Sequence, residues 1–77
     1  NPFNPTTRIN YSIPVSGQVS LIVFDVLGRE VVELINNQIE AGTHSVEFDA
    51  SNMTSGIYFY RLQAGKFIET KRFVLLK

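Results

Sequence analysis

Val19-Ser20-Leu21-Ile22-Val23-Phe24-Asp25-Val26 decides how this chain folds. In an extended strand, neighbouring side chains point to opposite faces. Val19, Leu21 and Val23 then share one face, and Ile22, Phe24 and Val26 share the other. Apolar residues on both faces describe a central strand. Leu27-Gly28-Arg29 ends the run in a tight turn, where Gly28 can take positive φ. Asp25 stands just before that turn, and a short carboxylate there can accept the turn N–H groups.

Upstream, Arg8 to Ile13 alternates, with Ile9, Tyr11 and Ile13 on one face and Arg8, Asn10 and Ser12 on the other. That is a half-buried strand, stopped by Pro14 and turned at Ser16-Gly17. Downstream, Glu30 to Ile35 continues with Val32 and Leu34 on one face, until Asn36-Asn37 breaks it. Ile39-Glu40 leads to a turn at Ala41-Gly42. Thr43 to Phe48 alternates again, with His44, Val46 and Phe48 on the apolar parity. Asp49 to Gly56 is a polar loop, Ile57 to Gln63 a strand, Ala64-Gly65 a hairpin turn, and Lys66 to Leu76 the last strand. Gly28, Gly42, Gly56 and Gly65 punctuate the turns and have no phosphate-cradle spacing. The spacing predicts an all-β, antiparallel, immunoglobulin-like sandwich of about seven short strands. Its expected core is Ile9, Tyr11, Val19, Leu21, Val23, Leu34, Val46, Phe48, Tyr58, Tyr60 and Leu62.

Composition agrees. Val, Ile and Thr supply 20 of the 77 residues, Phe and Tyr another 9, and Ala only 3. One modest core is all that so short a chain can bury. Two Asn-Pro steps at Asn1-Pro2 and Asn4-Pro5 make residues 1–6 an extended lead-in, with Phe3 its one large apolar group. Residues 7–77 form the sandwich. A first residue that is not Met, with no signal-peptide pattern, reads as a piece of a longer polypeptide.

Seven basic and seven acidic side chains cancel, so the basic excess of a nucleic-acid binder is missing. With no Cys, there is no disulfide, thiolate metal site or thiol nucleophile. The single histidine, His44, lies among apolar residues of a strand and reads as a packing group rather than a catalytic base. Asp49 and Asn52 flank a loop with oxygen ligands but lack the charge and spacing of a calcium motif. They read as turn caps. Tyr58-Phe59-Tyr60 splits across both faces and reads as packing, with no Trp to build a sugar platform. The expectation is no catalytic residue, no metal, no cofactor and no small-molecule substrate.

The final strand is unusual. Phe73, Val74, Leu75 and Leu76 are apolar on both faces, between Lys71-Arg72 and Lys77. Two readings stay open: a central strand covered on both sides, or an apolar patch that a partner covers.

Five stretches carry a family resemblance: Asn1-Pro-Phe-Asn-Pro-Thr-Thr7, Val19 to Val31, Ala41-Gly-Thr-His44, Ser55 to Leu62, and Lys71-Arg-Phe-Val-Leu-Leu-Lys77. Together they resemble the type A C-terminal sorting domain of the type IX, or Por, secretion system. The immunoglobulin-like domain of flagellar hook-capping proteins is similar. The resemblance implies a non-catalytic β-sandwich that directs an upstream cargo from the periplasm of a Gram-negative bacterium through the outer membrane. It implies outer-membrane secretion machinery and a sortase-like peptidase as partners, and a secreted or cell-surface destination. It implies partner recognition at Lys71, Arg72, Phe73, Val74, Leu75, Leu76 and Lys77, with Gly56 to Leu62 as a further candidate. The competing class is a carbohydrate- or surface-binding accessory module of a larger enzyme, and a third is a purely structural domain.

Overall fold

A computed structural model describes residues 6–76. The expected lead-in before Thr6, with Phe3, and the terminal Lys77 lie outside the described residues. Six strands follow in order: β1 (Thr6–Ile13), β2 (Gly17–Asp25), β3 (Glu30–Ile39), β4 (Gly42–Asp49), β5 (Gly56–Ala64) and β6 (Phe67–Leu75). They form two antiparallel sheets, one ordered β1-β4 and the other β3-β2-β5-β6. β4 returns to lie beside β1, so the first four strands wind in the manner of a Greek key across the two sheets. The sandwich is as expected, with six strands among the described residues rather than seven.

β2 is central, hydrogen-bonded to β3 on one side and β5 on the other. Its inward residues Val19, Leu21 and Val23 are completely buried, as is Leu62 opposite Leu21 on β5. Ile9, Tyr11, Ile13 and Phe48 close the core from the smaller sheet.

β3 departs from the sequence reading. Asn36-Asn37 does not end it: Asn36 pairs with Ser20 and Asn37 with Val19, and the strand runs to Ile39. Gln18 Nε2 donates to Asn36 Oδ1 at 2.7 Å, giving the polar side chain a partner within the ladder. Two register shifts, between Leu21 and Ile22 and between Val23 and Phe24, each insert an extra residue in β3. The strict period of two therefore fails, and Val32 opposite Val23 and Ile35 opposite Leu21 both pack inward. Ile35 is buried, while Leu34 is only half-buried. Val46 and Tyr60, also expected in the core, likewise pack at its margin.

The loop after β4 is less polar in its placement than in its composition. Ala50 and Met53 are buried, and the Met53 N–H closes a turn onto the Ala50 carbonyl at 3.0 Å. Tyr58, near the start of β5, sends its hydroxyl back to the Thr54 carbonyl at 2.6 Å. That is the arrangement of a tyrosine corner, a feature of Greek-key sandwiches.

Leu21→Ala should lower stability by about 2–5 kcal/mol, because a fully buried leucine leaves a cavity between well-packed sheets. Ile35→Ala should cost more than Leu34→Ala in the same urea titration. The reverse order would place the bulge at Leu34 elsewhere.

Candidate functional site

β6 is the outer strand of the four-stranded sheet and, among the described residues, pairs only with β5, from Ala64 opposite Phe67 to Gly56 opposite Leu75. The reading of a central strand covered on both sides is thus overturned. Phe73 points inward among three rings: Tyr58 at 5.8 Å, Phe48 at 6.1 Å and Tyr60 at 6.1 Å between centroids. Leu75 is buried beside Gly56. Val74 and Leu76 face the other way and are 55% and 75% exposed. The strand period of two thus splits the apolar run into a structural pair and a free pair.

Arg72 is exposed, opposite Phe59. Lys71 is also exposed and reaches Glu69 at 3.9 Å, too long and too solvated to fix either side chain. In the candidate stretch from Gly56 to Leu62, Tyr58 and Leu62 are core, whereas Ile57 is exposed beside Val74.

The free pair has company that the sequence did not advertise. Asp25 pairs with Tyr58, so the β2–β3 turn projects from the end of the sandwich where β6 finishes. The turn carries Val26 and Leu27, 61% and 73% exposed. Val31 and Ile57 are exposed at the same end and line, with Val26 and Leu27, a cleft of about 390 Å³. The signal was a pair of branched apolar residues where a turn ordinarily carries polar ones.

Asp25 builds that turn. Its Oδ1 accepts the Leu27 N–H at 2.9 Å and the Arg29 N–H at 3.0 Å, and its Oδ2 accepts Arg29 Nε at 2.8 Å. Gly28 donates its N–H to the Asp25 carbonyl at 3.0 Å with φ at 82°, a left-handed conformation that a side chain would strain. Gly65 does the same work in the β5–β6 hairpin with φ at 62°. Gly42 and Gly56 open β4 and β5.

The remaining chemical candidates resolve into structure. His44 stacks on Tyr11 at 5.5 Å, and its Nε2 donates to the Glu40 carbonyl at 2.7 Å. Burial raises the Tyr11 hydroxyl pKa above its ordinary value. Asp49 Oδ1 accepts the Ser51 N–H at 2.9 Å, a turn cap. No group of three or more metal-ligating side chains occurs among the described residues. Phe24 and Phe59 lie opposite each other on the outer face of the large sheet, but the Arg61 guanidinium sits 4.9 Å over the Phe24 ring. That face of Phe24 is therefore taken and offers no bare stacking platform for a sugar.

A family model for the secretion system C-terminal sorting domain matches residues 1–76. No curated protein and no solved structure matches the chain. The chain belongs to the secretion system C-terminal sorting domain family: it is a sorting signal of type IX secretion, a non-catalytic role exercised on the secretion machinery. The protein that carries it is a secreted or cell-surface protein.

The hydrogen bonds at Asp25 give the apolar turn a pH dependence. The Arg29 N–H is the main cause that holds the Asp25 carboxyl below its ordinary 3.8; desolvation opposes it, and the Arg29 guanidinium and the Leu27 N–H add to it. A carboxyl with a depressed folded-state pKa stabilises the fold above its unfolded value, and that contribution is lost as pH falls through the folded one. Asp25→Asn should therefore be less stable than the parent at neutral pH, and the gap should close as pH falls below 3.8. A gap that stays constant in urea titrations across this range would show that the carboxylate charge is not what holds the turn.

Proposed function

We propose that the type IX apparatus reads this domain at the end of the sandwich where β6 finishes. Val74 and Leu76 supply the apolar contact, and Lys71, Arg72 and Lys77 orient the encounter as rim charges, acting more on association rate than on affinity. One observation carries this reading: β6 commits Phe73 and Leu75 to the core and leaves Val74 and Leu76 facing solvent. Phe73 and Leu75 then serve recognition only by holding the strand in place.

In this reading residues 1–6 are the lead-in from an upstream cargo and residues 7–77 the sorting sandwich. The cargo crosses the periplasm of a Gram-negative bacterium and passes the outer membrane folded. A sortase-like peptidase then removes the domain.

Val74→Ser with Leu76→Ser separates recognition from folding. Both side chains are exposed, so the thermal midpoint should move little. Export of a fused reporter should fall severely, with the fusion accumulating in the periplasm. Normal export of the folded double variant would place recognition elsewhere. Phe73→Ser is the contrasting control: it removes the ring at the centre of the aromatic cluster and should destabilise the sandwich by about 3–5 kcal/mol.

A further inference from the structure

The two sheets differ in width, with two strands lying over four. Among the described residues β1 pairs only with β4, and β6 only with β5, so each presents one backbone edge that none of them covers. Those edges flank the same cleft, lined on one side by residues 7–10 of β1 and on the other by residues 71–74 of β6. The cleft measures about 380 Å³. Ile9, Phe48, Tyr60, Phe73 and Val74 supply its apolar lining, beside the polar Thr7 and Asn10. Its charged lining residues are Arg8, Lys71 and Arg72, with no acidic side chain among them. Arg8 is held by Glu47 at 2.8 Å and Lys71 loosely by Glu69 at 3.9 Å, while Arg72 forms no ion pair among the described residues. A second hollow of about 310 Å³ shares Asn10 and Lys71 with the first and extends the seam to Ser12 and Phe67; its one acidic lining residue is Glu69, the loose partner of Lys71. The β1 wall thus runs over residues 7–12, about 20 Å of extended chain.

We infer that this seam takes an extended segment of another polypeptide, one that carries a large apolar side chain flanked by carboxylates. The open edge of β1 offers backbone donors and acceptors at strand spacing, which only another extended backbone matches along its length. The added strand widens the small sheet from two to three and lies over the inward row of β6. The apolar side chain fills the hollow beside Phe73, and the carboxylates meet Arg72 and Lys71. β1 of a second copy does not fit, because it would bring Arg8 against the same cations. Val74 lines this seam beside Arg72, whereas Leu76 lies outside its lining. The inference stands on this geometry alone and holds whether or not the export apparatus reads the outer pair.

The test uses isotope-labelled protein and two synthetic peptides of about eight residues, alternating valine and serine around a central phenylalanine. One peptide has glutamate on both sides of the phenylalanine, and the other has lysine. The glutamate peptide should shift the amide resonances of residues 7–12 and 71–74 and slow hydrogen exchange along β1. Added salt should weaken it, and the lysine peptide should bind at least about tenfold more weakly. Lys71→Glu with Arg72→Glu, two exposed positions, should invert the preference while the thermal midpoint stays within a few degrees. Equal binding of both peptides would overturn the inference. So would no shift at millimolar peptide, shifts confined to the Phe24–Phe59 face, or self-association of the free protein through this seam.

Discussion

The double burial of β2 is the constraint on which everything else depends. Its inward row of Val19, Leu21 and Val23 is sealed from water, and both of its backbone edges are hydrogen-bonded. A strand so placed requires β3 and β5 as neighbours and a second layer over its inward face. β1 and β4 supply that layer, and Ile9, Tyr11, Ile13 and Phe48 are the side chains that reach down onto it. In a chain of 77 residues little apolar area remains for any other purpose. One modest core accounts for most of what the chain buries, and the sorting role of its family is exercised from the surface of that core.

The mismatch between two strands and four then gives β6 its character. It is far enough from the centre to be an edge, yet Phe73 ties it to the core through Phe48, Tyr58 and Tyr60. An exposed apolar edge invites unwanted pairing, and charged residues beside it are one way in which proteins limit that. Lys71, Arg72 and the Glu69 beside them fit that protective pattern, and the same charges are available to a partner. The apolar end formed by Val26, Leu27, Ile57, Val74 and Leu76 gathers residues from three separate segments. That surface exists only when the sandwich is folded.

Much of this was legible in the sequence, because strands and turns obey local rules. The alternation at Arg8–Ile13, the double-faced run over Val19–Asp25 and the Asp25–Gly28 turn reappear in the expected roles, while Val26, expected at the end of the strand, falls in the turn. Reading failed where partners override local preference. Asn36 and Asn37 look like a break, but the ladder to Ser20 and Val19 carries them through. Each bulge of β3 reverses its facing, which no period of two can anticipate, so the pattern points to Leu34 where Ile35 is the buried residue. Ala50 and Met53 are buried in a loop whose composition reads as polar. The tyrosine corner from Tyr58 to Thr54 joins a strand to a loop and has no sequence period at all. The candidate site was legible only in part. The doubly apolar run Phe73–Leu76 signalled something unusual, but which pair faces outward depends on its register with β5. The family resemblance supplied the function, since a recognition surface has no chemical signature of the kind a catalytic cluster has.

The central claim is that this folded sandwich suffices as an export signal. The most direct measurement is transplantation. Residues 1–77 are fused to the C-terminus of a passenger that enters the periplasm but carries no sorting domain, in a host with a working type IX apparatus. The account predicts that the passenger is recovered on the cell surface or in the medium, and that it stays in the cells when the apparatus is disabled. A passenger retained in the cells although the fused sandwich is folded would contradict it.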